Sequence, residues 1–292
     1  WTGTAGDNAW TTAGNWSLSA VPTNAHDVVI DINAAIDFST SSTINSLTIN
    51  NSAVVSITST VGARSLTIDN TGSVIDAGSA LTLNGGPGAM TLAFSGSSQS
   101  FSIAGALTIT AVGGGGKFNA TNSLTSVSGT FKNDGSGGGT VGTITASVSN
   151  LSFASGGTYE HALAGGTIPL ATWDAASTLK LIGTTTALPA NTSQSFGNLI
   201  FNCSGMTTSM NLPSGMTIAG SLQVLNTGSA TLSFLHTTLT LGGSCVISDD
   251  FTFSTSTKTI TVPGDFTFNG GTLTMSSGSG IGTINIGGDA NF

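Results

Sequence analysis

The segment from Tyr159 to Trp173 brings together side chains that can hold a ligand. It contains the only tyrosine of the chain, Glu160, His161 and one of the four tryptophans. Aromatic rings offer an apolar face with a polar edge, and imidazole and carboxylate groups exchange hydrogen bonds with hydroxyls. Tyr159, His161 and Trp173 are therefore the candidate glycan contacts, on a predicted lateral protrusion.

Asp249 and Asp250 are the only adjacent acidic pair. Glycoside hydrolysis needs two carboxylates about 5 to 10 Å apart, one of them tuned as an acid. The pair stands just before the predicted strand at Phe251, and strand alternation sends neighbouring side chains to opposite faces. Apart from His236, no histidine or basic residue accompanies it in the same coil. The pair is therefore interpreted as a solvated corner.

Polysaccharide enzymes built on β-helices carry recognisable motifs. Polygalacturonase-like enzymes have a His-Gly and an Arg-x-Lys phrase, and pectate lyases rely on arginine and clustered calcium-binding aspartates. Here the three histidines precede Asp27, Ala162 and Thr237, and the sole arginine, Arg64, has no lysine two residues on. The sequence predicts no catalytic residue and no enzyme, although a polysaccharide-active enzyme remains an alternative.

Calcium is the one cofactor that the sequence leaves open. Repeats that bind it supply oxygen ligands from Gly-Gly-x-Gly-x-Asp phrases in series. Asp265 and Asp289 follow glycines at equivalent repeat positions, but Ser221 and Ser244 occupy the earlier ones. A solvent-exposed pair of acids is favoured over a shared ion, so no cofactor is predicted.

Cys203 and Cys245 are the only thiols. They occupy different positions relative to the repeat and lie two coils apart, which places their Cα atoms beyond the roughly 7 Å that a disulfide spans. We expect buried free thiols packed as small hydrophobes. His26, His161 and His236 are isolated, and no Cys-x-x-Cys spacing occurs, so a His or Cys metal site is not predicted.

Composition limits the partners of the chain. Charged residues make up only 6% of the 292 residues, the net charge is −8, and the five basic residues are scattered singly. A nucleic-acid site needs clustered lysine and arginine, so such binding is not expected. No apolar run approaches the roughly 20 residues of a spanning helix, so direct membrane insertion is not expected either.

A repeated phrase predicts the fold. It reads apolar-x-apolar-x-Gly-x-apolar-x-apolar and recurs around Gly220, Gly243, Gly264 and Gly288. Alternation marks strands with one buried face, and glycine permits the corner between them. The sequence predicts an all-β, right-handed parallel β-helix or solenoid of about 21–24 residues per coil, favoured over an antiparallel sandwich.

The repeat also extends outside this region. Phe196 stands in phase, one coil before Ile218, whereas weaker copies in the first half are less evenly spaced. These copies begin at Ile44, Ala63 and Phe101.

Four regions follow from the repeat. Residues 1–32 hold three tryptophans and are predicted to cap the open end, with an aromatic sugar-binding platform as the alternative. Residues 33–110 are predicted coils, residues 111–195 irregular Gly-rich coils with the protrusion, and residues 196–292 regular coils that continue in a longer protein.

Two passages resemble a known class of proteins. The opening phrases around Trp10, Asn15-Trp16, Val21-Pro22 and Asp27-Val-Val-Ile30 resemble those of large secreted bacterial proteins with β-helical passenger or adhesin regions. The phrases around Phe196 and Gly243 resemble repeats in Bacteroidota cell-surface proteins, many exported by the type IX route. The resemblance implies a secreted or cell-surface location and a role in adhesion or filaments.

The predicted function is a structural, adhesive stalk within a larger adhesin, outside the cell. Its expected partners are surface glycans or other copies of itself. Two alternatives stay open, a filament or sheath subunit that polymerises and the polysaccharide-active enzyme. A stalk of this kind needs stacked apolar side chains more than any particular reactive group.

Overall fold

The structure, a computed structural model, describes residues 1–234, 236–253, 257–276 and 278–292. The described chain is a parallel β-solenoid of about 11 turns, which confirms the predicted fold class. The chain divides into two compact units, Trp1–Tyr159 with Pro169–Thr172 and Glu160–Ile168 with Trp173–Phe292. Within the described ranges, no helix is long and apolar enough to span a membrane.

The first unit opens with a single 3₁₀ turn at Ala13–Asn15, followed by three strands per coil. Its strands are β1 (Asp27–Ile30), β2 (Ala34–Phe38), β3 (Ser42–Ile44), β4 (Ser46–Ile49), β5 (Val54–Ser59), β6 (Arg64–Ile68), β7 (Ser73–Ile75), β8 (Ala80–Asn84), β9 (Met90–Phe94), β10 (Gln99–Ile103), β11 (Ala106–Thr110), β12 (Gly116–Asn119), β13 (Ser123–Val127), β14 (Thr130–Asp134), β15 (Thr143–Thr145) and β16 (Leu151–Phe153). Strands β17 (Thr158–Ala162) and β18 (Thr172–Trp173) each include residues of both units.

Every third strand of the first unit joins the same parallel sheet. One sheet runs β1-β4-β7-β10-β13-β16, the next β2-β5-β8-β11-β14, and the third β3-β6-β9-β12-β15. In the second of these, Leu81 lies opposite Leu107, and Leu107 opposite Phe131. The stacked inward side chains are fully buried, each contributing about 1.5 to 3 kcal/mol of hydrophobic stabilisation.

The second unit has the same three-strand coil. Its strands are β19 (Thr178–Leu181), β20 (Ser195–Phe196), β21 (Asn198–Asn202), β22 (Met210–Leu212), β23 (Thr217–Ile218), β24 (Leu222–Asn226), β25 (Leu232–Phe234), β26 (Thr238–Thr240), β27 (Cys245–Ile247), β28 (Phe251–Thr252), β29 (Lys258–Val262), β30 (Phe266–Phe268), β31 (Leu273–Thr274), β32 (Gly282–Ile286) and β33 (Ala290–Asn291). The longest sheet runs β19-β21-β24-β27-β30-β33, beside β22-β25-β28-β31, β20-β23 and β26-β29-β32.

Coil length differs between the units. In the second unit, Leu222 pairs with Cys245 and Cys245 with Phe266, so the spacing of register partners agrees with the predicted period. In the first unit, Ile75 pairs with Ile103, and the coil between them is longer than that period. Another register pair of the first unit, Val28 and Leu47, is only 19 residues apart (47 − 28 = 19), so coil length varies more in the first unit than in the second.

Aromatic side chains fill the interior of each unit. In the first unit, the ring of Phe118 lies 5.9 Å from Phe94 and 5.2 Å from Phe131. In the second, the ring of Phe251 lies 5.1 Å from Phe234 and 5.4 Å from Phe253. The contacts of Phe94 with Phe118 and of Phe234 with Phe251 join strands of neighbouring coils, whereas Phe251 and Phe253 lie in the same coil.

A hydrogen-bonded row, here called the corner ladder, joins one corner of successive coils in the second unit. Asn198 Oδ1 accepts from the Ser221 amide at 2.8 Å, and Ser221 Oγ from the Ser244 amide at 3.1 Å. Ser244 Oγ then accepts from the Asp265 amide at 3.2 Å, and Asp265 Oδ1 from the Asp289 amide at 2.9 Å. The side chain at this position thus satisfies a backbone donor of the next coil.

The corner ladder explains the repeated glycine. A Cβ on Gly220 would lie 2.3 Å from Asn198 Oδ1, and one on Gly243 would lie 2.5 Å from Ser221 Oγ. The same clash arises at Gly264 with Ser244 Oγ and at Gly288 with Asp265 Oδ1. Glycine is favoured here because the ladder oxygen of the previous coil occupies the space of a Cβ, and a larger residue would force that side chain to rotate away.

Candidate functional site

Tyr159 lies in strand β17 and points into the core of the first unit. Its side chain is wholly buried, with ring centroids 6.1 Å from Phe131 and 5.8 Å from Phe153. Burial raises the pKa of its phenol. A glycan on the surface cannot reach this ring, so the prediction of a contact at Tyr159 is corrected.

His161 is the second inward residue of the same strand. It is also wholly buried, and its Nε2 lies 2.6 Å from the carbonyl oxygen of Gly165. Burial lowers the pKa of the imidazole, because the charged form loses its hydration. The prediction of a surface contact at His161 is therefore corrected as well: strand alternation places residues 159 and 161 on the same inward face.

Trp173 keeps part of its surface. The ring is half-buried and lies edge-to-face against Phe196, with centroids 4.9 Å apart. Its Nε1 donates to Gln194 Oε1 at 3.4 Å. Of the three candidate glycan contacts, only Trp173 has an accessible face, and its contact with a glycan stays a prediction.

The adjacent acids Asp249 and Asp250 bind backbone amides of neighbouring coils. Asp249 Oδ2 accepts from the Thr227 amide at 2.7 Å, and Asp250 Oδ1 accepts from the Thr272 amide at 2.7 Å. Asp249 Oδ1 also accepts from the Asp250 amide at 2.9 Å. This hydrogen bonding gives both carboxylates a role in joining coils.

Asp265 and Asp289 stack on consecutive coils, as the repeat predicts. Both are exposed, and one oxygen of Asp265 is engaged by the Asp289 amide. Among the described residues, no group of three or more histidine, cysteine, aspartate or glutamate side chains could hold a metal ion. The arrangement gives calcium no clustered ligand set in this part of the chain.

The two thiols are free and buried, which confirms that prediction. Cys245 stacks between Leu222 and Phe266 in the longest sheet of the second unit, and burial raises the pKa of its thiol to about 12. Cys203 Sγ donates to the Leu181 carbonyl at 3.3 Å, and burial raises its pKa too. Neither thiol is placed to act as a nucleophile.

The tryptophans near the start of the chain form a packed cluster. The Trp16 ring lies 4.9 Å from Trp1 and 4.7 Å from Trp10, and Trp10 lies 4.9 Å from Phe38, all edge-to-face. Trp16 Nε1 donates to the Trp10 carbonyl at 2.9 Å. The rings cover the first coil instead of forming a flat platform, and the limits of the predicted cap stay a prediction.

Comparison with protein-family models, curated proteins and solved structures gives no match.

A cavity of about 150 Å³, here called the Trp pocket, lies beside this cluster. Its walls include Trp1, Trp16, Leu18, Pro22, His26 and Asp27. Of these, Leu18 is 72% exposed although it is a large apolar side chain. From the sequence, a sugar-binding platform at these tryptophans is the alternative to a cap, and that platform does not include Leu18, His26 and Asp27. The adjacent residues His26 and Asp27, which follow the Trp-rich segment, were the sequence feature that could have indicated these pocket walls.

Proposed function

We propose that this chain is a structural, adhesive β-solenoid stalk on a cell surface, within a larger adhesin, and not an enzyme. The observation that carries this proposal is the stacking of apolar residues on parallel strands through both units. This construction lengthens one coil at a time without needing a larger core, as a spacer requires. The cell-surface setting and the Bacteroidota-like origin come from the sequence resemblance.

The acidic side chains support the non-enzymatic part of this proposal. Asp249, Asp250 and Asp265 each accept hydrogen bonds from a backbone amide of another coil. Glu160 forms an ion pair with Lys180, with Oε2 and Nζ 2.8 Å apart. These carboxylates are engaged in structural contacts, whereas glycoside hydrolysis uses a carboxylate pair facing one substrate bond.

The outward surface supports the adhesive part. Outward positions of β23, β26 and β29 carry Thr217, Thr240 and Thr261, and hydroxyl-bearing residues recur on the other sheets. Such a surface offers many neutral hydrogen-bonding groups and few charges, which suits contact with hydrated glycans. Surface glycans or further copies of this chain are the partners proposed.

The enzyme alternative is tested by a release assay. The purified chain is incubated with pectin, alginate and other polysaccharides, and reducing or unsaturated ends are measured against a known polysaccharide-degrading enzyme. We expect no release above that of buffer. Reproducible turnover that scales with protein concentration would overturn the structural proposal.

Adhesion and polymerisation need separate measurements. Beads coated with the folded chain are expected to be retained on glycan-bearing surfaces under flow, whereas beads coated with the heat-unfolded chain are washed away. Equal retention of both would contradict adhesion. Sedimentation velocity and electron microscopy test the filament alternative, for which concentration-dependent linear polymers would replace the expected discrete species.

A further inference from the structure

The Trp pocket has an apolar surface that is open to a ligand. Leu18 and Val29 supply this surface, because they are 72% and 43% exposed, whereas Trp1 and Trp16 border the cavity as buried residues that are 9% and 7% exposed. Exposed apolar groups beside a cavity are a feature of ligand sites, because covering them removes apolar surface from water. The cavity is small enough to limit the ligand to about one ring.

A fixed acceptor lies at the edge of the same pocket. Asp27 Oδ1 accepts from Asn45 Nδ2 at 2.7 Å and from Ser46 Oγ at 2.5 Å. These hydrogen bonds lower the pKa of the Asp27 carboxyl, so that it is ionised at neutral pH. The side chain is exposed, and its second oxygen can accept a hydrogen bond from a ligand hydroxyl.

His26 supplies a donor next to this acceptor. Its Nδ1 lies 3.1 Å from the Thr23 amide nitrogen, which can only donate, so Nδ1 is the acceptor. In the neutral imidazole the proton then resides on Nε2. His26 and Asp27 both line the pocket, so that one imidazole N–H donor and one carboxylate acceptor stand beside its apolar residues.

This combination determines the chemical class of the ligand. A sugar ring has apolar C–H faces, and its hydroxyls both donate and accept hydrogen bonds. The Asp27 carboxylate and the net charge of −8 disfavour an anionic sugar. We propose that the Trp pocket binds one neutral sugar residue at the end of a glycan, with its apolar face on Leu18 and Val29 beside Trp1 and Trp16, and its hydroxyls on His26 and Asp27.

The proposal names a partner for the proposed adhesive function, but sugar binding at this pocket does not require the chain to be a stalk. An active enzyme in the release assay would overturn the stalk while leaving the pocket intact. Conversely, a pocket that binds no sugar would leave the structural role of the coils untouched.

Tryptophan fluorescence provides a direct test, because Trp1 and Trp16 line the pocket. The whole chain is titrated with the methyl glycosides of glucose, galactose, mannose and N-acetylglucosamine, and with glucuronate as the anionic probe. We expect a saturable change with at least one neutral glycoside and at least tenfold weaker binding of glucuronate. Saturation by none of the neutral glycosides, or a preference for glucuronate, would contradict the proposal.

Two surface variants then locate the site. Asp27→Asn is expected to weaken binding about tenfold or more through loss of a charge-assisted hydrogen bond, and Leu18→Gln about threefold. The matched controls are Asp289→Asn and Leu124→Gln, which change exposed residues outside the pocket and should leave affinity unchanged. Urea unfolding verifies that all four variants remain folded.

The outcome of the variants is decisive in either direction. A loss of affinity confined to Asp27→Asn and Leu18→Gln supports the pocket. Equal affinities of these variants and their controls would mean that the sugar binds elsewhere and would overturn the assignment. Binding of an apolar peptide to the pocket, in competition with the fluorescence change, would also overturn the sugar proposal.

Discussion

At the scale of single residues, some polar and ionisable side chains of this protein point into the coils instead of towards solvent. His161 and Lys258 occupy inward positions of their strands and are almost wholly buried. Lys258 Nζ donates to the Phe234 carbonyl, and burial lowers the pKa of this amine. Because burial favours the neutral forms of these bases, their proton affinities are linked to folding.

The thiols give one test of such burial. We predict that Cys203 and Cys245 resist alkylation by iodoacetamide at pH 8 in the folded chain and react fully in urea. Their burial and raised pKa values leave little accessible thiolate. Mass spectrometry of the two cysteine peptides measures the reaction, with glutathione as the control for reagent activity. Rapid native labelling of either residue would show that its coil is open.

The histidines give a second test through pH. Burial lowers the pKa values of His161 and His236 in the folded state, so the unfolded chain binds more protons as pH falls through about 6.5. We predict that the free energy of unfolding decreases between pH 7.5 and pH 5. The free energy of unfolding continues to decrease until the pH reaches the folded-state pKa values of the two histidines.

Urea unfolding at several pH values measures this effect. The double variant His161→Gln and His236→Gln is expected to have a flatter dependence on pH, even if it is less stable throughout. An identical pH slope in the double variant and the original chain would exclude the two histidines as its source.

At the scale of strands and corners, the corner ladder links the same corner of successive coils in the second unit. Each ladder side chain accepts a hydrogen bond from the next coil and occupies the space where that coil's glycine would carry a Cβ. The polar residue and the following glycine are therefore coupled across coils. A substitution at one position changes the cost of a substitution at the other.

A double-mutant cycle tests this coupling. Gly243→Ala should destabilise the chain by about 1 kcal/mol, because Ser221 Oγ must rotate away and lose its bond to the Ser244 amide. In the Ser221→Ala background the same change should be neutral or stabilising by up to about 1 kcal/mol, since alanine restricts the unfolded chain.

Gly270→Ala is the matched control for the cycle. The nearest atom to a Cβ there is the Ser248 carbonyl oxygen, at 3.7 Å, so no shift is needed. Chemical denaturation of the four cycle variants and this control gives the coupling energy. Additive effects of Ser221→Ala and Gly243→Ala would show that the ladder oxygen does not restrict the glycine.

Across the chain as a whole, a local loss of stability should affect neighbouring coils more than distant ones. In repeat architectures, each coil contacts only its neighbours, so local damage remains local. Phe251 is buried against Phe234 and Phe253, and its removal should cost about 3 to 5 kcal/mol. The consequences should appear first in strand β28 and in β25 and β31, which pair with it on either side.

Hydrogen exchange tests this expectation. In Phe251→Ala we predict that amides of β25, β28 and β31 exchange about a hundredfold faster, while amides around Trp10 and Ile30 keep their protection. Val141→Ala, at an exposed position, serves as the control and should change neither region. Equal acceleration over the entire chain would indicate a single cooperative unit.

Much of the fold was predictable because the alternation of residue types is local. The phrases around Gly220, Gly243, Gly264 and Gly288 predict strand, corner and strand, and the structure has strands on both sides of these corners. The prediction that Phe196 and Ile218 are in phase is confirmed by their direct pairing. Where the coils have similar lengths, sequence spacing is a good measure of register.

The first unit shows where that measure fails. The phrases 44–49 and 63–68 look like copies of one repeat. Yet Leu47 of the first lies opposite Val28 and Leu66 of the second opposite Ser42, in different sheets. With three strands per coil and coils of unequal length, similar phrases fit any of the three sheets. Spacing alone cannot choose among them.

The candidate site, like the fold, could be predicted only in part from the sequence. By itself the sequence determined an all-β solenoid with inward apolar residues, glycine corners and buried thiols, because these depend on alternation and on local backbone freedom. Only the tertiary structure decided that Tyr159 and His161 face the core, that Ser221 and Asn198 hold the next coil, and that Leu18, His26 and Asp27 surround one pocket. Those relations join residues on different coils and loops, and their distances depend on how the coils stack.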